Sequence, residues 1–570
     1  MRRASIAALV AAAFLHVPGP ALADQPLRAL VAALALACLL AVSLVRPGRA
    51  GRAAGVLLGA YAVLYLVSVV LGAPASSLWG VHGRFGGAAA TAVFVLAGLT
   101  GYAAARRDAR FLVRAAAVGL AAQSLVVLWQ VTRGDAPTGT IGNSVLAGAW
   151  LATLTAVVGA GAVVEKGAER RALAVAALSG ALALGLSGSR GAWFGAAAAG
   201  LALVMTVPRR RAAGLVAASL AAALVVTAAG LATAAPKLTP RSLVSGSAAS
   251  RAEIWRSTAR MVAANPWTGV GPGRFLFEFP RYETVGHARL EGADVRVDSA
   301  HDHALQVAAE SGAPAAVALA ALAVLASAAG WRAARRGDAA ALIALAGFAA
   351  YLGQGLFGIS AVETDVVGWL LGGVLLASYD ASAGSSERPG PGALRRVPQL
   401  AAVAAVGLAA VLGAWCLRGE ALYARGETLL ESGQLALSAE AFSAAVSVDP
   451  FSDVSRVGLG DTVLYARPDR ERIRAALEAI EAGMALEPRD YDLLLARARL
   501  LRLDPGSPSA RVEEAYADAV AAYPLGLTVR REAVAAALAN GDSRTAERLA
   551  EGLRELGASV STETGGGGGG

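Results

Sequence analysis

Apolar runs of roughly membrane-spanning length fill most of the first four hundred residues. They lie at 28–45, 53–72, 87–105, 111–131, 141–164, 172–186, 191–207, 212–234, 313–331, 339–358, 363–379 and 399–417. A helix needs about 20 apolar residues to cross a bilayer. Residues 1–23 add a signal peptide or a first membrane helix, because Arg2 and Arg3 precede an apolar stretch that ends in small residues. The pattern predicts an all-α polytopic membrane bundle with about 12 or 13 spans.

Along this series, loops rich in lysine and arginine alternate with loops that are poor in them. The rich loops hold Arg46, Arg49, Arg52, Arg106, Arg107, Arg110, Arg114, Lys166, Arg170, Arg171, Arg209, Arg210, Arg211, Arg332, Arg335, Arg336, Arg388, Arg395 and Arg396. The short poor loops hold Arg28, Arg84, Arg133 and Arg190. Because cytoplasmic loops collect cations, the rich loops are predicted to face the cytoplasm. The 237–312 segment and everything after Leu417 are then predicted to lie outside.

Composition divides the chain into seven predicted parts. These are N-terminal membrane helices at 1–236, a large extracytoplasmic loop at 237–312, membrane helices at 313–380, a cytoplasmic linker at 381–398, a last span at 399–417, extracytoplasmic repeats at 420–560 and a flexible tail at 561–570. Ser, Pro and Gly are frequent in the linker, which is typical of a connecting segment.

The C-terminal part has a helical period and a repeated motif. Phe442-x-x-Ala445 precedes Pro450, Ile480-x-x-Gly483 precedes Pro488, and Tyr516-x-x-Ala519 precedes Pro524. The prolines are 38 and 36 residues apart, close to the period of tetratricopeptide repeats. The pattern predicts such repeats, with an ordinary helical bundle as the alternative. Stacked helix pairs offer a concave surface that binds protein partners. If the repeats only recruit a partner, a chain without them should keep its basic chemistry.

Composition and charge exclude a soluble globular class. The chain is 56% hydrophobic and 16% charged. From Glu420 onward 16 arginines face 24 acids, so the tail is acidic and the positive charge lies in the membrane part. Those cations lie in short loops between spans and therefore indicate membrane topology, and we predict no nucleic-acid partner. Cys38 and Cys416 both lie in apolar runs, which excludes a disulfide framework and a CxxC metal site.

Arginines on the predicted outer side are the first candidates for chemistry. A guanidinium group binds phosphate oxygens with two parallel hydrogen bonds and stays ionised. Arg190 is the strongest candidate, because Ser187-Gly188-Ser189-Arg190-Gly191 is a tight connection between two spans. Arg84 lies in another glycine-rich turn, whereas Arg133 has no such frame. A side chain that reaches toward lipid headgroups is the alternative for each of them.

Histidines form the second candidate group. His301 and His303 lie near the end of the polar segment, next to Asp298 and Asp302. An imidazole can accept a proton from a hydroxyl group near neutral pH, and a neighbouring carboxylate can orient it. A metal-binding pair is the alternative for His-x-His, but no further His or Cys cluster completes such a site. We therefore predict a site without metal or other cofactor.

These motifs together resemble the O-antigen ligase and polymerase superfamily of membrane glycosyltransferases. In the order of that family, the chain has the motifs Gly80 to Arg84, Gly142-Asn143, Ser187 to Ala192, Arg251-x-x-x-Trp255, Asn265 to Phe275, the box His301 to Gln306 and Glu310-x-Gly312. The resemblance covers about residues 30 to 380. It departs at Asp302, where the family more often has Asn.

The resemblance implies transfer of a glycan from a polyprenyl-diphosphate carrier to an acceptor on the outer face of the cytoplasmic membrane, without metal. It implies that His301 is the general base, with His303 beside it. Arg190 and Arg251 would stabilise the diphosphate as negative charge develops, together with Arg84 and Arg274. The acid at Asp302 leaves open which histidine is the base, because it could pair with either imidazole.

Three functional alternatives stay open at this stage. Within the family, the sequence does not separate a ligase from a polysaccharide polymerase or a protein O-oligosaccharyltransferase, and the acceptor is a lipid, a glycan or a protein. A transporter or flippase with a helical docking domain would instead predict buried charges or broken helices near the middle of the membrane. A non-catalytic scaffold is the third class.

Overall fold

The computed structural model describes residues 31–32, 47–72, 74–80, 86–103, 108–207, 247–384, 415, 417–466 and 469–555. Every regular element in these ranges is a helix, which confirms the predicted all-α class. The apolar runs predicted at 1–23 and 212–234 lie outside the described residues, as do most of 28–45, 399–417 and the linker. The total number of spans therefore stays a prediction.

The membrane part consists of apolar helices that follow the predicted runs. They are α1 (Arg49–Leu71), α2 (Pro74–Trp79), α3 (Ala88–Ala103), α4 (Ala109–Thr132), a 3-10 turn (Gly139–Ile141), α5 (Ser144–Val164), α6 (Gly167–Ser187) and α7 (Arg190–Thr206). In the described part of the chain, six helices are long and apolar enough to cross a membrane, namely α1, α4, α5, α6 and the later helices Ala313–Arg335 and Val362–Ser382.

Residues 247–312, which we call the polar loop, fold into short helices before the chain returns to the bundle. The loop contains α8 (Ser247–Ala264), α9 (Phe275–Glu278), a 3-10 turn (Phe279–Arg281), α10 (Val285–Glu291) and α11 (His303–Ser311). The bundle then continues with α12 (Ala313–Arg335), α13 (Ala339–Gly355) and α14 (Val362–Ser382). Phe275, Phe279, Ile254 and Met261 form a separate small core inside the polar loop.

The centre of the bundle is formed by α5 and α14, which are 72% and 78% buried over their most apolar segments. The outer helices α1 and α12 are only 22% and 28% buried there, which leaves apolar faces for lipid. Small residues bring the backbones of α3 and α14 together, because a Cβ at Gly373 would overlap the carbonyl group of Gly98.

Charged groups tie the helix ends together on the side opposite the polar loop. Asp380 in the last turn of α14 accepts hydrogen bonds from the Ala50 and Gly51 N–H groups at the start of α1, both at 2.9 Å. A carboxylate stabilises a helix N-terminus by pairing its unbonded donors. Arg114 pairs with Glu169 at 2.7 Å on the same side. The cation-rich loops of the sequence therefore meet at this end of the bundle.

The C-terminal part, which we call the repeat domain, consists of consecutive helix pairs. Residues 417–431 form α15, followed by α16 (Leu435–Val448), α17 (Asp453–Tyr465), α18 (Arg470–Leu486), α19 (Tyr491–Leu503), α20 (Ser509–Ala522), α21 (Leu527–Ala539) and α22 (Ser543–Glu555). The motif residues Phe442, Ile480 and Tyr516 are buried on the second helix of their pairs. Their assignment to tetratricopeptide repeats stays a prediction.

The repeat domain packs directly on the polar loop. Arg274 of the loop pairs with Glu487, which follows α18, and Arg296 pairs with Asp492 at the start of α19. Thr528 at the start of α21 donates its backbone N–H and its hydroxyl group to Asp294, at 3.1 and 2.9 Å. The two segments therefore lie on the same side of the bundle, which we call the loop side.

Candidate functional site

Helix α8 lies across the loop-side end of the bundle and carries Arg251 and Trp255 one turn apart. The Trp255 indole N–H donates to the Ala300 carbonyl at 3.0 Å. Its ring lies 6.0 Å from Phe357, which lies 4.7 Å from Phe194 of α7. These contacts link α8 to α7 through Phe357 and hold it against the segment that precedes the histidines.

Two of the predicted arginines come together at this point. Arg190 is the first residue of α7, and it follows Gly188, whose positive φ of 67° ends α6 in a left-handed turn. Burial lowers the pKa of Arg251, and the positive charge of Arg190 lowers the pKa further. A partly buried guanidinium group beside a second cation is a suitable site for a polyanion such as a diphosphate.

The predicted box, His301 to Gln306, forms the start of α11. His301 is the one non-glycine residue with positive φ in the described part of the chain, at 53°. Such backbone strain is uncommon outside functional sites. Asp302 accepts a hydrogen bond from the Leu305 N–H at 2.8 Å, so it is the N-cap of α11. Asn caps helices equally well, which accounts for either residue at this position.

His301 and His303 face different surroundings. His301 follows Ala300, whose carbonyl is bonded to Trp255, and this places it beside the helix of Arg251. His303 lies 5.9 Å from the Tyr351 ring and lines two neighbouring cavities. Its Nε2 atom is buried and makes no hydrogen bond. His301 therefore follows the residue that α8 contacts, whereas His303 lines the two cavities.

The first cavity is small, with a volume of about 140 Å³, and we call it the polar cavity because ionisable side chains share its wall with apolar ones. His303, Gln306, Glu310 and Asp365 are among the residues that line it. Glu310 accepts hydrogen bonds from the side-chain amide of Gln306 at 3.0 Å and from the backbone N–H of Phe275 at 3.4 Å. Burial raises the pKa of Glu310 to about 7, although these hydrogen bonds oppose the increase. A group with such a pKa can hold or release a proton near neutral pH.

The second cavity is large and apolar, with a volume of about 1200 Å³. Side chains of α1, α3, α7, α12, α13 and α14 line it, and most of them are Ala, Leu, Val or Gly. It shares His303, Val307, Leu319, Tyr351 and Trp369 with the polar cavity. It exceeds the roughly 300–1,000 Å³ of an ordinary small-molecule site. Its lining suits a long hydrocarbon chain that ends near the histidine box.

The other two predicted arginines are placed differently. Arg274 is buried, and its guanidinium group is held by Glu487 at 2.5 Å and Glu278 at 3.1 Å. Because two carboxylates neutralise it, we no longer assign Arg274 to the diphosphate and place it in the contact with the repeat domain. Arg84 lies outside the described residues, and its assignment stays a prediction. Gly80 and Gly87 lie against Gly273.

Sequence reasoning missed two residues of the cavities. Asp365, in the first turn of α14, is 2% exposed and lines the polar cavity with one carboxylate oxygen that has no hydrogen-bond partner. Tyr351 lines both cavities. A carboxylate at the start of an apolar helix was a usable signal for Asp365, because acids are rare there. Nothing in the sequence marked Tyr351.

Comparison with known proteins supports the sequence resemblance. Residues 173–320 match the family model described as O-antigen ligase. No curated protein matches the chain. The matched range contains Arg190, Arg251, the glycine-rich turn before Arg274, and the histidine box. The match confirms the predicted superfamily and indicates a membrane enzyme that transfers glycans in polysaccharide biosynthesis.

Proposed function

We propose that this chain, which carries an O-antigen ligase domain, transfers a glycan from a polyprenyl-diphosphate carrier to an acceptor hydroxyl group. The reaction takes place on the outer face of the cytoplasmic membrane and needs no metal. One observation supports the proposal most strongly. The histidine box borders the large apolar cavity, and α8, which carries Arg251, contacts Ala300 next to His301 through Trp255, as a lipid-linked anionic donor requires.

In the proposed reaction the acceptor oxygen attacks the anomeric carbon of the donor glycan. The bond between that carbon and the diphosphate oxygen breaks, and the carrier diphosphate leaves with the electron pair. His301 accepts the proton of the acceptor hydroxyl group. Arg190 and Arg251 stabilise the negative charge that builds on the diphosphate, which lowers the barrier more than it stabilises the bound donor. His303 forms the wall between the base and the carrier tail.

The transport alternative has less support. In the described membrane helices, the buried carboxylates are Glu363 and Asp365 in the first turn of α14 and Asp380 in its last turn. All three lie at helix ends, whereas a transport pathway would place charges near the middle of the membrane.

The test uses purified protein in nanodiscs with a polyprenyl-diphosphate-linked glycan, candidate lipid, glycan and protein acceptors, and EDTA. We expect acceptor-dependent release of the carrier diphosphate, abolished by His301→Ala and reduced by His303→Ala. Growth of the donor glycan without a second acceptor would identify a polymerase. No release with any donor by a folded protein would contradict the proposal. Loss of activity in His303→Ala alone would make His303 the base.

Orientation is tested separately by cysteine labelling in cells. Cys38 and Cys416 are replaced by serine, and a single cysteine is placed at Glu291 in the polar loop or at Ala383 after α14, both of which are exposed. We expect a membrane-impermeant maleimide to label the first and not the second. The reverse result would place the site in the cytoplasm.

A further inference from the structure

A buried charge network joins the repeat domain to the polar loop. The Arg274 guanidinium donates to both carboxylate oxygens of Glu487, at 2.7 and 2.5 Å. The fully buried Glu278 forms an ion pair with Arg274 at 3.1 Å and accepts a hydrogen bond from Arg489 at 2.8 Å. Ser76 of α2 also donates to Glu487 at 2.7 Å. A bidentate pair of this kind fixes orientation as well as distance.

The segment that precedes Arg274 is clamped on its other side by the end of α11. We call residues Gly269–Gly273 the glycine loop. The Val270 N–H donates to the Ala309 carbonyl at 3.0 Å, and the Gly271 N–H donates to the Glu310 carbonyl at 2.9 Å. Gly269 and Gly273 have φ values of 65° and 70°, and a Cβ at either would overlap neighbouring backbone. The glycine loop has therefore little freedom once both sides are held.

From the glycine loop, hydrogen bonds continue to the histidine box. The backbone N–H group of Phe275, directly after Arg274, donates to the Glu310 carboxylate at 3.4 Å. Glu310 also accepts from the Gln306 amide at 3.0 Å, and the carbonyl oxygen of that amide accepts the Ala300 N–H at 2.7 Å. Ala300 directly precedes the strained His301. A shift of the glycine loop would thus reach the histidine.

We propose that the repeat domain positions the histidine box, with Glu487 and Arg274 as positioning residues that act through Glu310 and Gln306. This role rests on the proposed transferase function and extends it, because it makes residues 417–555 part of the catalytic machinery. It replaces the expectation that a chain without the repeats would keep its basic chemistry. Groups held out of place by about 1 Å can cost about 100-fold in rate.

A second contact on the same interface provides a matched control. Arg296 pairs with Asp492 at 2.6 Å and lies 5.7 Å from the Tyr491 ring. This pair also joins the loop to the repeat domain, but it has no hydrogen bond to the glycine loop. Asp492→Asn therefore weakens docking by one charge, as Glu487→Gln does, without removing a hydrogen bond among the glycine loop, Glu310 and Gln306.

The experiment compares the full-length wild type, Glu487→Gln and Asp492→Asn in nanodiscs. We expect Glu487→Gln to lower kcat about 10–100-fold with little change in donor KM, and Asp492→Asn to stay within about threefold of wild type. Hydrogen exchange of residues 298–312 should become faster in Glu487→Gln only. Equal effects of both variants, or an unchanged kcat and exchange in Glu487→Gln, would overturn the proposal.

A double variant separates positioning from simple stability. Arg274→Met with Glu487→Leu removes both charges, so neither is left buried and unpaired, and Glu278 keeps Arg281 and Arg489 as partners. We expect its thermal stability to recover while kcat stays low. Recovery of kcat together with stability would show that the pair only stabilises the fold. If no variant or wild type transfers glycan, the proposed function fails, and the exchange data still test the coupling.

Discussion

At the scale of single residues, Arg190 and Arg251 depend on geometry as well as charge. Each guanidinium can donate two parallel hydrogen bonds to a phosphate, which the ammonium group of lysine cannot do. We expect Arg190→Lys and Arg251→Lys each to lower kcat about 10²–10³-fold, the usual cost of losing one transition-state donor. Diphosphate release from the donor measures this. Arg133→Lys is the control, because Arg133 is exposed and stacks on Trp129. Near-normal turnover in Arg190→Lys would contradict bidentate binding.

Glu310 gives a pH-dependent stability with a defined sign. Its pKa is about 7 in the folded protein against an ordinary 4.5. Below pH 4.5 Glu310 is protonated in both the folded and the unfolded chain, so its titration does not change the free energy of unfolding. Between pH 4.5 and about 7 the unfolded chain loses this proton before the folded protein does. The free energy of unfolding therefore falls as pH rises, by up to about 3 kcal/mol above pH 7.

Glu310→Gln should remove this fall, because its amide does not titrate. Thermal unfolding in detergent at pH 5 and pH 8 measures the difference, which we expect to be smaller in Glu310→Gln than in wild type. Glu291→Gln changes an exposed acid on the same loop and serves as the control. An unchanged pH dependence in Glu310→Gln would show that Glu310 does not hold its proton in the folded protein.

Sequence reasoning identified the residues whose surroundings are formed by their neighbours along the chain. Arg190 follows a short glycine turn, and Arg251 and Trp255 are one helical turn apart, so their side chains could be placed without the fold. Arg274 looked equivalent in sequence. Its partner Glu487 lies 213 residues away, and only the folded chain reveals that its charge is already neutralised.

At the scale of elements, the start of α11 determines the position of both histidines. Asp302 has extended backbone and caps the helix through the Leu305 N–H. We expect Asp302→Asn to keep stability and to keep activity within about threefold, since Asn is an equally good cap. Asp302→Ala should cost about 0.5–2 kcal/mol in stability and lower kcat. Thermal unfolding and diphosphate release measure the two effects.

A second N-cap helps to interpret that result. Asp338 caps α13 through the Ala341 N–H at 3.0 Å, at the end of the bundle away from the polar loop. Asp338→Ala should lower stability by a similar amount with little effect on kcat. If Asp302→Asn alone abolishes activity, the carboxylate itself takes part in catalysis and capping is not its main role.

Helix positions were the most predictable elements, and their contacts were the least. Hydropathy placed a run over each of the described membrane helices except the short α2, because a span must be apolar along its whole length. The same signal does not reveal that α3 and α14 touch through glycine, or that α5 lies at the centre. Those contacts depend on the shape of side chains on faces that are all apolar.

At the scale of the whole molecule, the parts that the sequence separates work together. The polar loop, the repeat domain and the bundle were predicted as distinct segments from their composition. In the structure the loop is held between the other two, through Glu487 on one side and the end of α11 on the other. Composition indicates whether a segment lies in the membrane or outside it. Contacts between distant segments, in contrast, form only when the chain folds.

The large apolar cavity gives a prediction that involves the whole bundle. Ala323 of α12 lines this cavity together with residues of six other helices, α11 among them. Ala323→Trp should fill part of it and raise the KM of a long polyprenyl donor about 10–100-fold, as expected for overpacking by 1–3 kcal/mol. A short-chain donor with the same diphosphate and glycan should be much less affected, because its tail does not reach the substituted position.

Val317→Trp is the matched control for that experiment, since Val317 lies on the same helix, is 67% exposed and does not line the cavity. Diphosphate release at varied concentrations of the long and the short donor gives the two KM values for each variant. A selective increase for the long donor in Ala323→Trp would place the carrier tail in the cavity. An equal increase for both donors would mean that the substitution disturbs the histidine box, and an unchanged KM for both would place the tail elsewhere on the bundle.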